Sequence, residues 1–161
     1  MKKILFGLAL IFTTNQVFSQ ELTLNETGLY INQQVITTDE QDAEILFNKC
    51  MEWIALNYKS AQDVIQYSDK ENLKIICKGS FITNLFWKSG FIHHTLSLEI
   101  KEGRFRQTYS DFSYVSEGSG KIALESKNLA FKKKILKETS SQVNSATNNL
   151  KEYLNTKDND W

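Results

Sequence analysis

The chain has 161 residues, with 19 basic and 19 acidic side chains, 41% hydrophobic and 12% aromatic. Balanced charge leaves no basic excess to draw the whole protein onto nucleic acid or anionic lipid, and the aromatic content is too high for a disordered spacer. The sequence contains no proline, so no cis-proline loop constrains a site.

Lys2 and Lys3 precede a short apolar run, Ile4 to Phe12, and Val17 and Ser19 stand two apart before Gln20. This is the charged start, apolar centre and small-residue cleavage site of a secretory signal peptide. The run is too short to cross a hydrocarbon core of about 30 Å. The expectation is cleavage between Ser19 and Gln20 and a periplasmic or secreted protein with no transmembrane segment in the mature chain. Residues 20–161 then form a single α+β domain. Losing Lys2 and Lys3 leaves it slightly acidic.

Residues 20–27 are polar. Asn25-Glu26-Thr27 fits a glycosylation sequon, a match too common to use. Residues 29–36 read as an edge strand. Thr38 and Gln41 have the spacing of a capping box, before a helix over about 39–58. Its apolar stripe is Ala43, Leu46, Phe47, Cys50, Trp53 and Ile54, at spacings of three and four. Residues 64–67 and 73–78 read as two strands joined by the polar loop 68–72. The stretch 79–90 has no clear period.

The clearest hairpin follows. Ile92, His94, Leu96, Leu98 and Ile100 alternate with polar residues, and Glu102-Gly103 suits a two-residue turn. Counting from that turn sets Ile100 opposite Phe105, Leu98 opposite Gln107, Leu96 opposite Tyr109 and His94 opposite Asp111, with Glu99 facing Arg106. Phe112 and Tyr114 are out of phase, which calls for a bulge near Ser110. Residues 116–120 read as a linker, and Lys132 to Lys134 as a solvated basic run. A second helix is predicted over 139–154, with Val143, Ala146, Thr147, Leu150, Tyr153 and Leu154 on one stripe, inside a helical extension of about 125–157.

Four segments carry a resemblance, three of them Glu52-Trp53-Ile54 on the helix, Asp63 to Tyr67, and Lys74 to Gly79. The hairpin Leu96 to Arg106 carries it most clearly. Residues 37–115 resemble a bacterial domain-of-unknown-function family with a TBP-like fold. The resemblance implies a fold and an exported setting. It brings no activity, cofactor or catalytic residue, and a fold label does not imply DNA binding.

Candidate chemistry is sparse. His93 and His94 are adjacent on a strand and point to opposite faces, so they do not share a metal, and no zinc-type spacing accompanies them. No metal site or cofactor is expected. His94 beside Asp111 could act as an oriented general base, with Ser89 or Ser110 near; the plainer reading is a polar pair closing the end of a sheet. Cys50 and Cys77 lie on apolar stripes, where a thiolate is disfavoured. Export makes a disulfide between them feasible, and two separate buried thiols is the plainer reading. Phe81, Phe86, Trp87 and Phe91 either cap the core or form a binding surface.

The expected architecture is a curved antiparallel sheet of four to five strands packed on one main helix, with a C-terminal helix against the same face or the sheet edge. The expected function is an exported, non-catalytic binding or interaction module of the bacterial cell envelope. Its partner would be an envelope protein, with no nucleic acid. The alternatives are a carrier of a small apolar ligand held between sheet and helix, and a hydrolase using His94 and Asp111.

Overall fold

Alternating apolar residues and two amphipathic stripes build a sheet with helices on one face. The computed structural model describes residues 21–38, 42–58, 61–85 and 89–156. In chain order the elements are β1 (Thr23–Leu24), β2 (Tyr30–Thr37), α1 (Ala43–Asn57), α2 (Ala61–Val64), β3 (Ile65–Asp69), β4 (Lys74–Thr83), β5 (Gly90–Lys101), β6 (Arg104–Ser116), β7 (Ile122–Ala123) and α3 (Lys132–Asn155). The sheet has seven strands in the order β1-β2-β6-β5-β4-β3, with β7 also on β6, and all pairings are antiparallel. Five were expected at most. The two additional strands, β1 and β7, are two residues each, too short to carry a period.

The β5–β6 hairpin has the counted register from Lys101↔Arg104 back to Leu96↔Tyr109. Gly103 takes a positive φ of 61°, as the turn requires. That register holds through Thr95↔Ser110 and then shifts by one residue, so that His93 faces Ser113. Two residues, Asp111 and Phe112, therefore face the single His94, which is one residue more than even pairing needs, and Asp111 adopts φ 53°. The bulge is therefore one residue beyond Ser110, and Phe112 and Tyr114 return to the buried side.

On β5, Ile92, His94, Leu96, Leu98 and Ile100 are buried, and the intervening residues through Glu99 are half-buried or exposed. Both long helices cover this inner face. Leu46, Phe47, Cys50, Trp53 and Ile54 of α1 are buried, as are Ile135, Val143, Leu150 and Leu154 of α3. The helices join through Trp53 Nε1, which donates to Asn149 Oδ1 at 2.7 Å. Buried Gln107 donates through Nε2 to Thr147 Oγ1, fixing α3 over β6.

Several boundaries differ from expectation. The N-cap of α1 is Asp42, whose carboxylate accepts from the backbone N–H groups of Glu44 and Ile45; Thr38 instead donates its backbone N–H to the Gly103 carbonyl. Residues 79–83 continue β4, paired with β5 up to Thr83↔Gly90. Lys132 to Lys134 form the first turn of α3, which begins seven residues earlier than predicted and lacks both a side-chain cap and a first-turn acid. Asn25, in the sequon-like triplet, accepts from the Thr27 and Leu29 backbone N–H groups and closes the β1–β2 turn.

Candidate functional site

The inner face holds a polar cluster around His94. α1 ends at Tyr58, which leaves the helix in an extended conformation (φ −112°, ψ 132°). Its ring then lies over Gly79 of β4: a Cβ on Gly79 would come within 2.1 Å of the Tyr58 ring and 3.0 Å of His94 Nε2. The glycine is therefore required by a ring rather than by a turn. Tyr58 Oη and His94 Nε2 are 3.2 Å apart. Phe81 stacks on the His94 ring at 4.2 Å, and Tyr109 meets it edge-on at 5.2 Å. His94 Nδ1 is turned toward the Ile92 carbonyl outside good hydrogen-bond geometry, and Tyr109 Oη likewise has no well-formed bond among the described residues.

Electrostatics keep this cluster neutral. Burial, reinforced by neighbouring His93, pulls the His94 pKa down to about 4, although the Ile92 carbonyl opposes the shift. Burial pushes both tyrosine hydroxyls up, and the Cys50 and Cys77 thiols up to about 12. Near pH 7 the cluster therefore contains a neutral imidazole, two phenols and a thiol. A neutral thiol behind packed rings is a poor nucleophile.

An open cleft of about 660 Å³ runs from this cluster around the edge of β4. β3 pairs with β4 only as far as Cys77, so among the described residues no further strand flanks residues 78–83 on that side. Tyr58, Val64 and Gly79 line the inner part of the cleft; Lys78, Ile82, Phe91, His93, Asp111 and Lys121 line the rest. Ile82 and Phe91 are direct cross-strand partners, 64% and 43% exposed. Toward the other end of the same outer face, Tyr67 is also exposed, and the Glu99 carboxylate is held by Arg106 and, at 3.3 Å, by Lys74. Those cations hold its pKa down. Among the described residues, no helix covers this outer face.

The sequence-predicted sites fare differently. His94 and Asp111 are not brought together: the bulge removes their direct pairing, His94 is buried among the inner rings and Asp111 is exposed. Both border the cleft, but no hydrogen bond joins them. His93 and His94 fall on opposite faces, and among the described residues no three His, Cys, Asp or Glu side chains are placed to hold a metal ion. Cys50 and Cys77 are free and buried, without a bridge. The aromatic set divides: Phe81 packs inward on His94, Phe91 faces outward, and Phe86 and Trp87 lie outside the described residues. Tyr58, Tyr109 and Ile82 were missed as site residues. An isolated glycine inside an apolar run, Gly79, was the available signal for the Tyr58 contact.

Fold and site define a class: an α+β protein with an open antiparallel sheet, two long helices on one face and a cleft at an unpaired strand segment. The sequence model described as "Domain of unknown function (DUF4468) with TBP-like fold" matches residues 33–115, just over half of the chain. The chain belongs to that family. Its structure is similar to that of a TBP-like protein from Parabacteroides distasonis ATCC 8503, with TM-score 0.69 and 12% identity over 81% of this chain and 95% of the other. It is also similar to a DUF4468 family protein from Bacteroides ovatus ATCC 8483, with TM-score 0.62 and 10% identity over 88% and 95%. At these identities the likeness is one of fold. No curated protein matches the chain significantly.

Proposed function

We propose that this protein is an exported, non-catalytic binding module of the bacterial cell envelope that receives a protein partner on the outer sheet face, across Ile82 and Phe91. Support for export comes from the sequence: Lys2 and Lys3, the apolar run to Phe12, and the small residues before Gln20. One observation carries the binding reading. Two large apolar side chains stand exposed as a cross-strand pair beside an open cleft, on a face that no described helix covers.

The same geometry weighs against the other two readings. A carrier needs space between sheet and helix, where Trp53, Phe47 and Tyr109 are buried and packed. A hydrolase needs its acid beside its base, and the bulge at Asp111 separates them.

Intact and native masses of the protein recovered from its host's envelope fraction test the proposal. The expected result is a chain beginning at Gln20, accompanied by a polypeptide that Phe91→Glu releases. A full-length chain confined to the cytosol would overturn the export reading. A small molecule that survives native spraying and disappears on denaturation would favour the carrier instead.

A further inference from the structure

The neutral overall charge conceals a local excess. Residues 121–138 hold six lysines and no arginine, against two acids, Glu125 and the half-buried Glu138, which accepts from Gln142. That is nearly a third of the chain's basic residues in about a tenth of its length. Glu125 is turned inward: its Oε1 accepts from the Tyr30 backbone N–H at 2.8 Å. Lys132 is also committed to the fold, donating to the Glu125 carbonyl at 3.0 Å with its ammonium 5.3 Å from the Tyr30 ring centroid. Lys127, Lys133 and Lys137 are exposed, and so is Lys134, which holds a contact of its own.

Phe131 stands among these lysines. It is 69% exposed and adopts φ 54°, a left-handed conformation unfavourable for a bulky L-residue. Leu129 and Ile135 on either side are buried, so the chain is anchored before and after Phe131 while Phe131 itself stays largely exposed. Lys132, Lys133 and Lys134 follow at successive helical positions, each turned about 100° around the axis of α3 from the one before.

We propose that this tip of the molecule, Phe131 with Lys127, Lys133, Lys134 and Lys137, docks on the surface of an anionic lipid bilayer. The inference is independent of the partner site on the sheet. Lysines spread around one exposed aromatic match a headgroup layer, where cations meet phosphates and the ring enters the acyl boundary. Nucleic acid fits less well. The chain's two arginines, Arg104 and Arg106, which would supply planar phosphate or base contacts, are on the distant β5–β6 hairpin, and Phe131 offers one ring rather than a stacking platform.

The test is sedimentation with vesicles, using residues 20–161, which contain every described residue and lack the N-terminal apolar run that would itself bind lipid. Phosphatidylcholine vesicles with about 30% phosphatidylglycerol should bind the protein, and pure phosphatidylcholine should not. Raising salt from about 50 to about 500 mM should weaken binding roughly tenfold or more. Charge reversal at two positions, Lys133→Glu with Lys134→Glu, should weaken it by at least about tenfold, since each lysine contributes about fivefold. Phe131→Gly should weaken it about fivefold or more without lowering the melting temperature, because glycine accepts this φ. Absence of binding to the anionic vesicles, equal binding to neutral ones, or unchanged binding by Phe131→Gly would overturn the proposal. Complete displacement from vesicles by a single-stranded DNA oligonucleotide would also overturn it, assigning the patch to polyanions in general.

Discussion

Gly79 and His94 show how individual residues organise the site. The Tyr58 ring occupies the volume a Gly79 side chain would need. Gly79→Ala is expected to cost about 1–3 kcal/mol through overpacking, measured by denaturant unfolding with an unchanged slope. His94 makes a pH prediction. Its folded pKa of about 4 lies below its ordinary 6.5, so the unfolded chain binds the additional proton. Its contribution is fully present above pH 6.5 and is lost as pH falls through 4. The loss is at most about 3 kcal/mol. His94→Gln should flatten the stability profile across that window, and an unchanged slope would refute the burial account. Sequence reading found His94 but assigned it Asp111, because alternation reports which face a residue occupies and not where a later bulge breaks the count.

At the scale of elements, legibility followed periodicity. The β5–β6 hairpin was readable to the residue from Lys101↔Arg104 back to Leu96↔Tyr109, because an alternating strand and a Glu-Gly turn both constrain register. The α1 stripe was readable for the same reason. The second half of β4 was not: Gly79 interrupts the pattern, and the inward and outward side chains that follow, Phe81 and Ile82, are both apolar. The start of α3 was also hidden, since Lys132 to Lys134 look like a solvated loop and no capping residue marks the helix. The bulge makes its own prediction. Asp111 occupies φ 53°, so Asp111→Gly should preserve or raise stability, whereas Asp111→Val should cost about 1–2 kcal/mol. Thermal melts of the two variants check this; equal tolerance of valine would contradict the strained bulge.

For the whole molecule, the asymmetry of the sheet is the central point. Its inner face is covered by two long helices and packed around Trp53, Tyr109 and Phe105, while among the described residues no helix covers the outer face. Alternation in the sequence could identify two faces but left the C-terminal helix between the same face and the sheet edge, because an amphipathic stripe specifies burial and not a partner. The aromatic segment was visible as a cluster, but its division into inward Phe81 and outward Phe91 depends on β4 and β5 running in register to Thr83↔Gly90. No described helix is long and apolar enough to cross a membrane, so the envelope placement proposed here relies on the N-terminal segment and on surface contacts. The most direct measurement is photo-crosslinking in the host from a reactive residue at Ile82, compared with one at Ile45, an exposed position on α1. The account predicts a discrete protein adduct from Ile82, absent from Ile45 and abolished by Phe91→Glu. No adduct at Ile82, or the same adduct from both positions, would contradict a binding face on the uncovered side of the sheet.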